Sequence, residues 1–239
     1  MIQAITTGEI ALSVDSSAMT MRFAVPTGAG RHPAVLVCHH REGVDDFTRY
    51  VLMRLAEIGL IAVAPNFYHR RPADEDPIAS MKILDDGEVL RDIAVAVAHL
   101  KAMPSVRPDR IATVGHCLGG RTSFLGLTHE PALGAGVLLY HGNIFEARGG
   151  DQLAPFTLTH KIRGPLLGLF GKDDHNPSPA DVATLAQELT RLGIRHEFRS
   201  YEGAGHAFQD FHNAKLYRPA AADDAWTKLL GFLKSELLS

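Results

Sequence analysis

Cysteine is scarce in this sequence. Cys38 and Cys117 are the only two among 239 residues, too few for the disulfide framework that stabilises many small secreted domains. The chain also lacks any apolar run near the roughly 18 residues of a transmembrane helix. Its first residues show no basic segment followed by an apolar core, as a secretory signal would. We therefore expect a cytoplasmic protein with no membrane partner.

Clusters of charge of one sign are absent as well. The chain has 24 basic and 27 acidic side chains, a formal net charge of −3 and scattered basic residues. Nothing resembles the basic face that binds a phosphate backbone, so no nucleic-acid partner is expected. There is no His-Glu-x-x-His and no paired-cysteine metal motif. We expect no metal and no other cofactor, although the 13 histidines leave a metal-dependent enzyme as an alternative.

Short apolar runs are what the sequence does have, and they alternate with amphipathic segments of helical spacing. The runs occupy residues 33–38, 60–64, 111–115, 135–140 and 165–170. Continuous apolar runs are typical of strands buried on both faces of a sheet. Their alternation with helices predicts an α/β fold with a mostly parallel central sheet and helices on both faces. Without a repeat or linker, we expect one domain over residues 1–239.

The remaining segments complete this outline. Two further strands are predicted at 3–12 and 18–25, and a last one at 197–201. We expect a turn from 104 to 110, before the strand at 111. Residues 66–84 and 141–164 are predicted to be irregular. Long excursions of this kind often border a functional site, so either could act as a lid.

One junction between a buried strand and a helix carries a chemical motif. Residues 115–120 read Gly-His-Cys-Leu-Gly-Gly, which is the spacing of a nucleophile elbow with cysteine as the nucleophile. So tight a turn strains the nucleophile's backbone, and glycines beside it let strand and helix close together. The helix N-terminus would direct N–H groups and positive dipole at Cys117. A buried structural cysteine is the alternative.

A nucleophilic cysteine needs a histidine and an orienting carboxylate. In an open α/β sheet such groups lie at the carboxyl ends of strands. The run at 165–170 is followed by Gly-Lys-Asp173-Asp174, and the last predicted strand by Glu-Gly-Ala-Gly-His206. The chain order of nucleophile, acid and histidine then predicts Cys117, Asp174 and His206. Asp173 remains open as the acid.

These motifs together resemble the dienelactone hydrolase family of α/β-hydrolases. The resemblance covers nearly the whole chain from residue 33 and is carried by the segments 115–120, 169–179 and 201–208. It implies an α/β-hydrolase fold, a Cys–Asp–His triad, a thioester acyl-enzyme and hydrolysis of esters or lactones. The expected partner is therefore a small-molecule ester or lactone. We expect a monomer or a small homo-oligomer.

The surroundings of Cys117 include the predicted oxyanion hole and the first of two departures from the family. The oxyanion hole is predicted from the N–H of Leu118 and one N–H of the 39–41 segment, which we assign to Arg41. In the family, a glutamate in that segment modulates the resting cysteine. By counting, His40 stands at its position here, and Glu42 is the other candidate.

The second departure concerns substrate charge. Dienelactone-processing members resemble one another in a basic residue, shortly after the triad histidine, that binds a substrate carboxylate. Asp210 stands near that position here, so a neutral acyl group is expected unless Arg121 or another arginine supplies a cation. The candidate pocket residues are His40, Glu42, Arg70, Arg71, His141 and Phe208.

A different class of function is also open. If the strand at 33–38 neighbours the nucleophile strand, Cys38 and Cys117 could form the redox switch of a non-catalytic, ligand-sensing relative. A disulfide would require Cα atoms within about 7 Å of each other. Packing of Cys38 as a small apolar side chain is the simpler role.

Overall fold

Eight strands form one sheet in the computed structural model, which describes residues 4–72, 74–150 and 152–239. Gln3, predicted in the first strand, lies outside the described residues. The strands are β1 (Ile5–Val14), β2 (Ser17–Pro26), β3 (His32–Cys38), β4 (Ile61–Pro65), β5 (Val106–His116), β6 (Leu133–Leu139), β7 (Leu166–Gly171) and β8 (His196–Tyr201). Their order is β1-β2-β4-β3-β5-β6-β7-β8. The strands from β4 to β8 are parallel, and β2 runs antiparallel to β1 and β4.

Helices cover both faces of the sheet, so the predicted α/β class is confirmed. They are α1 (Asp46–Ala56), α2 (Pro77–Lys82), α3 (Asp86–Ala102), α4 (Leu118–His129), α5 (Pro179–Arg191) and α6 (Pro219–Leu237), with a 3₁₀ helix at Pro155–Lys161. Apolar side chains of α1 and α6 form the core on one face, and those of α3, α4 and α5 form the core on the other. The apolar stripe of α6, with Trp226, Leu229, Leu233 and Leu237, is buried against the sheet. The domain bounds stay a prediction.

Several boundaries differ from the sequence-based expectation. The predicted turn at 104–110 is wrong in part, because β5 already begins at Val106, which pairs with His32. Pro108 argued against a strand at this place in the sequence, although a proline is tolerated near the first residues of a strand. The segment 66–84 contains α2, which begins at Pro77, where a missing N–H costs nothing. In the described part of the chain, no helix is long and apolar enough to span a bilayer.

The parallel strands end together at one edge of the sheet. Cys38 at the end of β3 pairs in register with Gly115 of β5, and Gly171 of β7 pairs with Tyr201 of β8. The loops that follow these strands carry the predicted oxyanion segment, nucleophile, acid and histidine. The topology therefore brings the predicted chemical groups to the same edge.

Candidate active site

Cys117 occupies the turn between β5 and α4 in a strained backbone conformation, with a φ of 56° and a ψ of −120°. Its N–H donates to the carbonyl of Leu139 at 3.0 Å. Its carbonyl accepts N–H groups of Gly120, Arg121 and Gly142 at 3.0, 3.3 and 2.8 Å. Four backbone hydrogen bonds thus hold a conformation that a non-glycine residue adopts rarely.

Glycines on both sides of the turn allow the close approach of strand and helix. A Cβ atom at Gly115 would lie 1.9 Å from the carbonyl oxygen of Gly119. A Cβ atom at Gly119 would lie 1.9 Å from the carbonyl oxygen of Cys38. Both obstacles are backbone atoms, which cannot rotate away as a side chain can. The steric requirement predicted from the sequence is therefore confirmed at these two positions.

His206 and Asp174 meet at the ends of β8 and β7. The Nδ1 atom of His206 lies 3.0 Å from Oδ2 of Asp174, whose side chain is almost completely buried. The other oxygen of Asp174 accepts the N–H of Asn176 at 2.9 Å. Asp173 is exposed, and its backbone N–H donates to the carbonyl of Ala204. Of the two adjacent aspartates, Asp174 is the one that contacts His206.

The surroundings of His206 favour its protonated form. Burial by itself lowers the pKa of the imidazole. The neighbouring Asp174, which bonds the ring, and Cys117 together outweigh burial and raise this pKa from 6.5 to about 10. Because Nδ1 faces Asp174, Nε2 is the nitrogen left for Cys117. His206 is thus an imidazolium at neutral pH, with a carboxylate on one side and the candidate nucleophile on the other.

Two backbone N–H groups are available for an oxyanion. Leu118 is the first residue of α4, where an N–H has no partner within the helix. Arg41 lies in the turn after β3. Neither N–H donates to a carbonyl among the described backbone groups. The hydroxyl of Tyr68 donates to the carbonyl of Arg41 at 2.9 Å, and its ring packs at 4.8 Å against that of His39.

Tyr68 is a residue that the sequence reasoning missed. It holds the turn that presents the Arg41 N–H. The signal available in the sequence was its place just after β4, at the same sheet edge as the other predicted groups. The sequence reasoning also missed Tyr140, which follows β6 at the same edge of the sheet. It has a φ of 34°, and its ring lies 5.3 Å from the His206 ring.

His40 and Glu42, the two candidates for the family's glutamate, are neighbours in this turn. Nδ1 of His40 lies 3.0 Å from Oε2 of Glu42, and Nε2 lies 2.9 Å from Oδ1 of Asp45. The second carboxylate oxygen of Glu42 accepts from Nε of Arg41 at 2.5 Å. Glu42 is therefore held by two neighbours of its own turn, one of which is the arginine Arg41. His40, by contrast, is more than nine-tenths buried.

The arginines named as possible substrate contacts are paired with carboxylates. Arg70 donates to Asp92 at 2.9 Å and to Asp15 at 3.1 Å. Arg71 donates to Glu88 at 2.8 Å. These bonds hold Arg70 against α3 and the β1–β2 turn. The structure therefore does not bring Arg70 together with Cys117.

Arg121 is also paired with a carboxylate. It forms a two-pronged pair with Asp86 at 2.5 and 2.8 Å, and both side chains are almost completely buried. Arg121 also donates to the carbonyls of Asn143 and Glu146. It joins the nucleophile helix, α3 and the loop after β6, and its charge is compensated within the protein.

His141 and Phe208 lie in the packing beneath the site. Nδ1 of His141 lies 2.8 Å from the carbonyl oxygen of Gly142, and burial lowers the pKa of the ring to about 4. Phe208 is fully buried, with its ring 5.3 Å from that of Tyr140. His141 is thus neutral, and Phe208 supports the tyrosine that packs against His206.

The other histidines near this edge have structural hydrogen bonds. His39 accepts the N–H of Phe67 at Nε2, with Nδ1 2.7 Å from the carbonyl oxygen of His40. Nε2 of His116 lies 2.9 Å from Oε1 of Gln209. Within the described ranges, no three or more His, Cys, Asp or Glu residues are grouped as metal ligands would be.

Cys38 differs sharply from Cys117. It is buried, with its Sγ 3.7 Å from the hydroxyl oxygen of Thr113, and burial raises its pKa to about 11. Neither cysteine is in a disulfide. The neighbouring strands predicted for the redox alternative are present, but Cys38 is surrounded as a packed core residue would be.

Comparisons with known proteins agree with this geometry. The model of the dienelactone hydrolase family matches residues 19–237. A Synechocystis sp. protein described as a candidate carboxymethylenebutenolidase is 32% identical over 225 residues, which cover 90% of this chain and 91% of that protein. A Bradyrhizobium sp. protein described as a candidate 2-oxo-3-(5-oxofuran-2-ylidene)propanoate lactonase is 29% identical over 223 residues, covering 90% and 88%.

Solved structures show the same relationship. The crystal structure of a candidate dienelactone hydrolase from Klebsiella pneumoniae matches with a TM-score of 0.86 and 28% identity, over 96% of this chain and 98% of that one. A dienelactone hydrolase-like phosphotriesterase from metagenomic libraries shares the fold, with a TM-score of 0.85 at 20% identity over 98% and 99%. The chain therefore belongs to the dienelactone hydrolase family, with its α/β-hydrolase fold and its ester- and lactone-hydrolysing class of chemistry.

Proposed function

We propose that this hydrolase cleaves small carboxylic esters or lactones through a triad of Cys117, Asp174 and His206 and a thioester intermediate. The observation that carries the proposal is an imidazole held by a buried carboxylate at the same sheet edge as a cysteine on a strained elbow. A thiolate beside an imidazolium is a ready nucleophile, and the imidazolium is a ready acid. The lactonase described in Bradyrhizobium supports this substrate class.

Acylation follows from these positions. The Cys117 thiolate attacks the ester carbonyl, and the negative charge that develops on the oxygen is stabilised by the N–H groups of Leu118 and Arg41. The tetrahedral intermediate collapses with cleavage of the C–O bond. His206 donates its Nε2 proton to the departing alkoxide, which leaves as an alcohol. In a lactone the alcohol stays attached to the acyl chain.

Deacylation uses the same groups, but His206 now accepts a proton where it donated one before. His206, now neutral, accepts a proton from water as the water oxygen attacks the thioester carbonyl. Collapse breaks the C–S bond and releases the acid. The thiolate and the imidazolium are then restored, with Asp174 compensating the imidazolium charge in both halves. No step requires a metal or an organic cofactor, so we expect EDTA to leave the rate unchanged.

A screen of short p-nitrophenyl esters and small lactones tests the proposal. We expect turnover by the natural protein, none above background by Cys117→Ala, and near-normal turnover by the matched control Cys38→Ala. Mass spectrometry after rapid acid quenching should find an acyl group on the peptide that contains Cys117. Turnover that survives in Cys117→Ala would contradict the proposal.

A further inference from the structure

A cleft of about 700 Å³ opens between two segments that carry proposed catalytic groups. One wall belongs to the turn that bears Arg41 and includes His40, Glu42 and Asp45. The other wall is the segment 210–215, which begins four residues after His206. Cys117 and His206 do not line this cleft, but Arg41 is near enough to both Cys117 and Asp210 to interact with them electrostatically, so the cleft lies beside the proposed catalytic groups.

The position of His206 assigns a part of the substrate to this cleft. Its Nδ1 is held by Asp174 at 3.0 Å, so only Nε2 can protonate the departing alkoxide. The departing oxygen must therefore lie within hydrogen-bond reach of Nε2, on the histidine side of Cys117. The chain that leaves His206 continues into residues 210–215, most of which line one wall of the cleft. The cleft is thus suited to the alcohol part of the ester.

The charge of the cleft is mainly negative. Four carboxylates and one lysine are among its lining residues: Glu42, Asp45, Asp46, Asp210 and Lys215. Glu42 and Asp46 are paired with the neighbouring arginines Arg41 and Arg49.

Asp210 stands out among these carboxylates. Its side chain is 17% exposed, and one of its oxygens accepts the N–H of His212 at 3.0 Å. Among the described residues, no lysine or arginine lies within ion-pair distance of it, although the His212 ring lies 3.5 Å away. Asp210 therefore contributes a partly desolvated negative charge with no lysine or arginine in direct contact, although Arg41 is near enough to interact with it electrostatically.

His40 adds a second polar group to the same cleft. Its side chain is more than nine-tenths buried. Nε2 lies near Asp45, yet no group in the described part of the chain meets it at a hydrogen-bonding angle. A buried ring nitrogen of this kind normally has a partner. A polar group of a ligand in the cleft could supply one.

We infer that Asp210 determines specificity for esters whose alcohol part carries a positively charged nitrogen, a substrate class that rests on the function proposed above. A cation in the cleft would be attracted by the charge of Asp210, and this attraction would offset part of the cost of leaving water. An anion of the same shape would be repelled by Asp210 and would lose hydration with no compensating charge pair. The expected order of preference is cationic, then neutral, then anionic.

One cation near the site would instead attract an anionic substrate. Arg148, in the loop after β6, is half-buried, and its guanidinium donates to the carbonyl of Met81 at 3.2 Å. Its backbone is bound to Asp86, which is also the partner of Arg121. Arg148 does not line the cleft described above. It is the group to which an anionic substrate would be drawn instead, and it therefore enters the test.

The experiment compares three esters of one short acid that differ only in the charge of the alcohol: trimethylammonioethyl, 3,3-dimethylbutyl and sulfonatoethyl. We expect kcat/KM to be roughly tenfold higher for the cationic than for the neutral ester, as one partly screened charge pair would give. Asp210→Asn should bring this ratio close to one, and Asp210→Arg should invert the order of cation and anion. Asp109→Asn, which removes the same charge from the opposite end of β5, should leave the ratio unchanged.

Several results would overturn the inference. These are equal rates for the three esters, a ratio that responds equally to Asp109→Asn and Asp210→Asn, or preference for the anion that is lost in Arg148→Gln. Turnover of the neutral ester that depends on Cys117 would then show that the proposed function stands while the assigned specificity is wrong. Absence of any Cys117-dependent turnover would overturn both.

Discussion

At the scale of single residues, the contact between His206 and Asp174 decides the chemistry available to Cys117. The carboxylate is buried, and it also accepts the Asn176 N–H, so its orientation is set before substrate binds. The neighbours Asp174 and Cys117 outweigh the effect of burial and raise the pKa of the imidazole, which favours its protonated form. A cysteine beside such a group needs no further base to become a nucleophile.

The two adjacent aspartates should respond differently to the same substitution. Asp174→Asn removes the charge that orients and stabilises His206, so we expect kcat for a short ester to fall by roughly 10⁴, as in serine triads. Asp173→Asn is the matched control, because Asp173 is exposed and directs its side chain to no described partner. Steady-state kinetics of both variants checks this ranking. Comparable losses would place the orienting charge elsewhere.

At the scale of elements, the junction of β5 and α4 depends on the absence of side chains. The Cβ of an alanine at position 119 would overlap the carbonyl oxygen of Cys38 in β3. Strand and helix would have to separate, and the turn that holds Cys117 would open. The elbow is therefore a property of three elements in contact, and no single element determines it.

Gly119→Ala should lower the free energy of unfolding by about 3 kcal/mol or more and abolish esterase activity. Gly231→Ala is the control, since Gly231 lies on the exposed side of α6 with nothing within 4 Å of an added Cβ. That variant should gain about 0.5–1 kcal/mol, because alanine is the better helix former. Urea titrations of both proteins measure the difference. A neutral effect at position 119 would refute the steric account.

The sequence predicted this junction because its requirements are local. Glycine spacing, a β-branched run before Cys117 and a helix after it all stand within a short segment. The pairing of Arg70 with Asp92 and Asp15 could not be predicted, since α3 and the β1–β2 turn meet Arg70 only in the folded chain. The start of β5 at Val106 likewise depends on its neighbour β3.

At the scale of the whole molecule, the charge of His206 links folding to pH. Its pKa is about 10 in the folded protein and near 6.5 when unfolded. The folded state therefore binds the proton more tightly, and this contribution to stability is complete below about pH 6.5. It declines as pH rises and is lost once pH passes about 10.

His206→Gln should remove this dependence. The difference in unfolding free energy between the natural protein and His206→Gln is expected to be largest near pH 6 and to shrink steadily toward pH 10. Denaturant titrations across that range, on both proteins in the same buffers, measure it. A difference that grows with pH would mean that His206 is neutral in the folded state.

The strained backbone of Cys117 has a consequence for how this protein trades robustness against activity. A φ of 56° with a ψ of −120° suits glycine, and any residue with a Cβ destabilises the fold there. Cys117→Gly and Cys117→Ala both delete the thiol and differ only in that carbon. We expect the glycine variant to be about 1 kcal/mol more stable than the alanine variant and to melt about 2–4 °C higher in calorimetry. An alanine variant that melts higher than the glycine variant would show that the turn is not strained, because alanine is the more stable of the two at an unstrained position. The expected result would mean that selection for heat resistance alone favours loss of the nucleophile, and that only turnover keeps cysteine at this position.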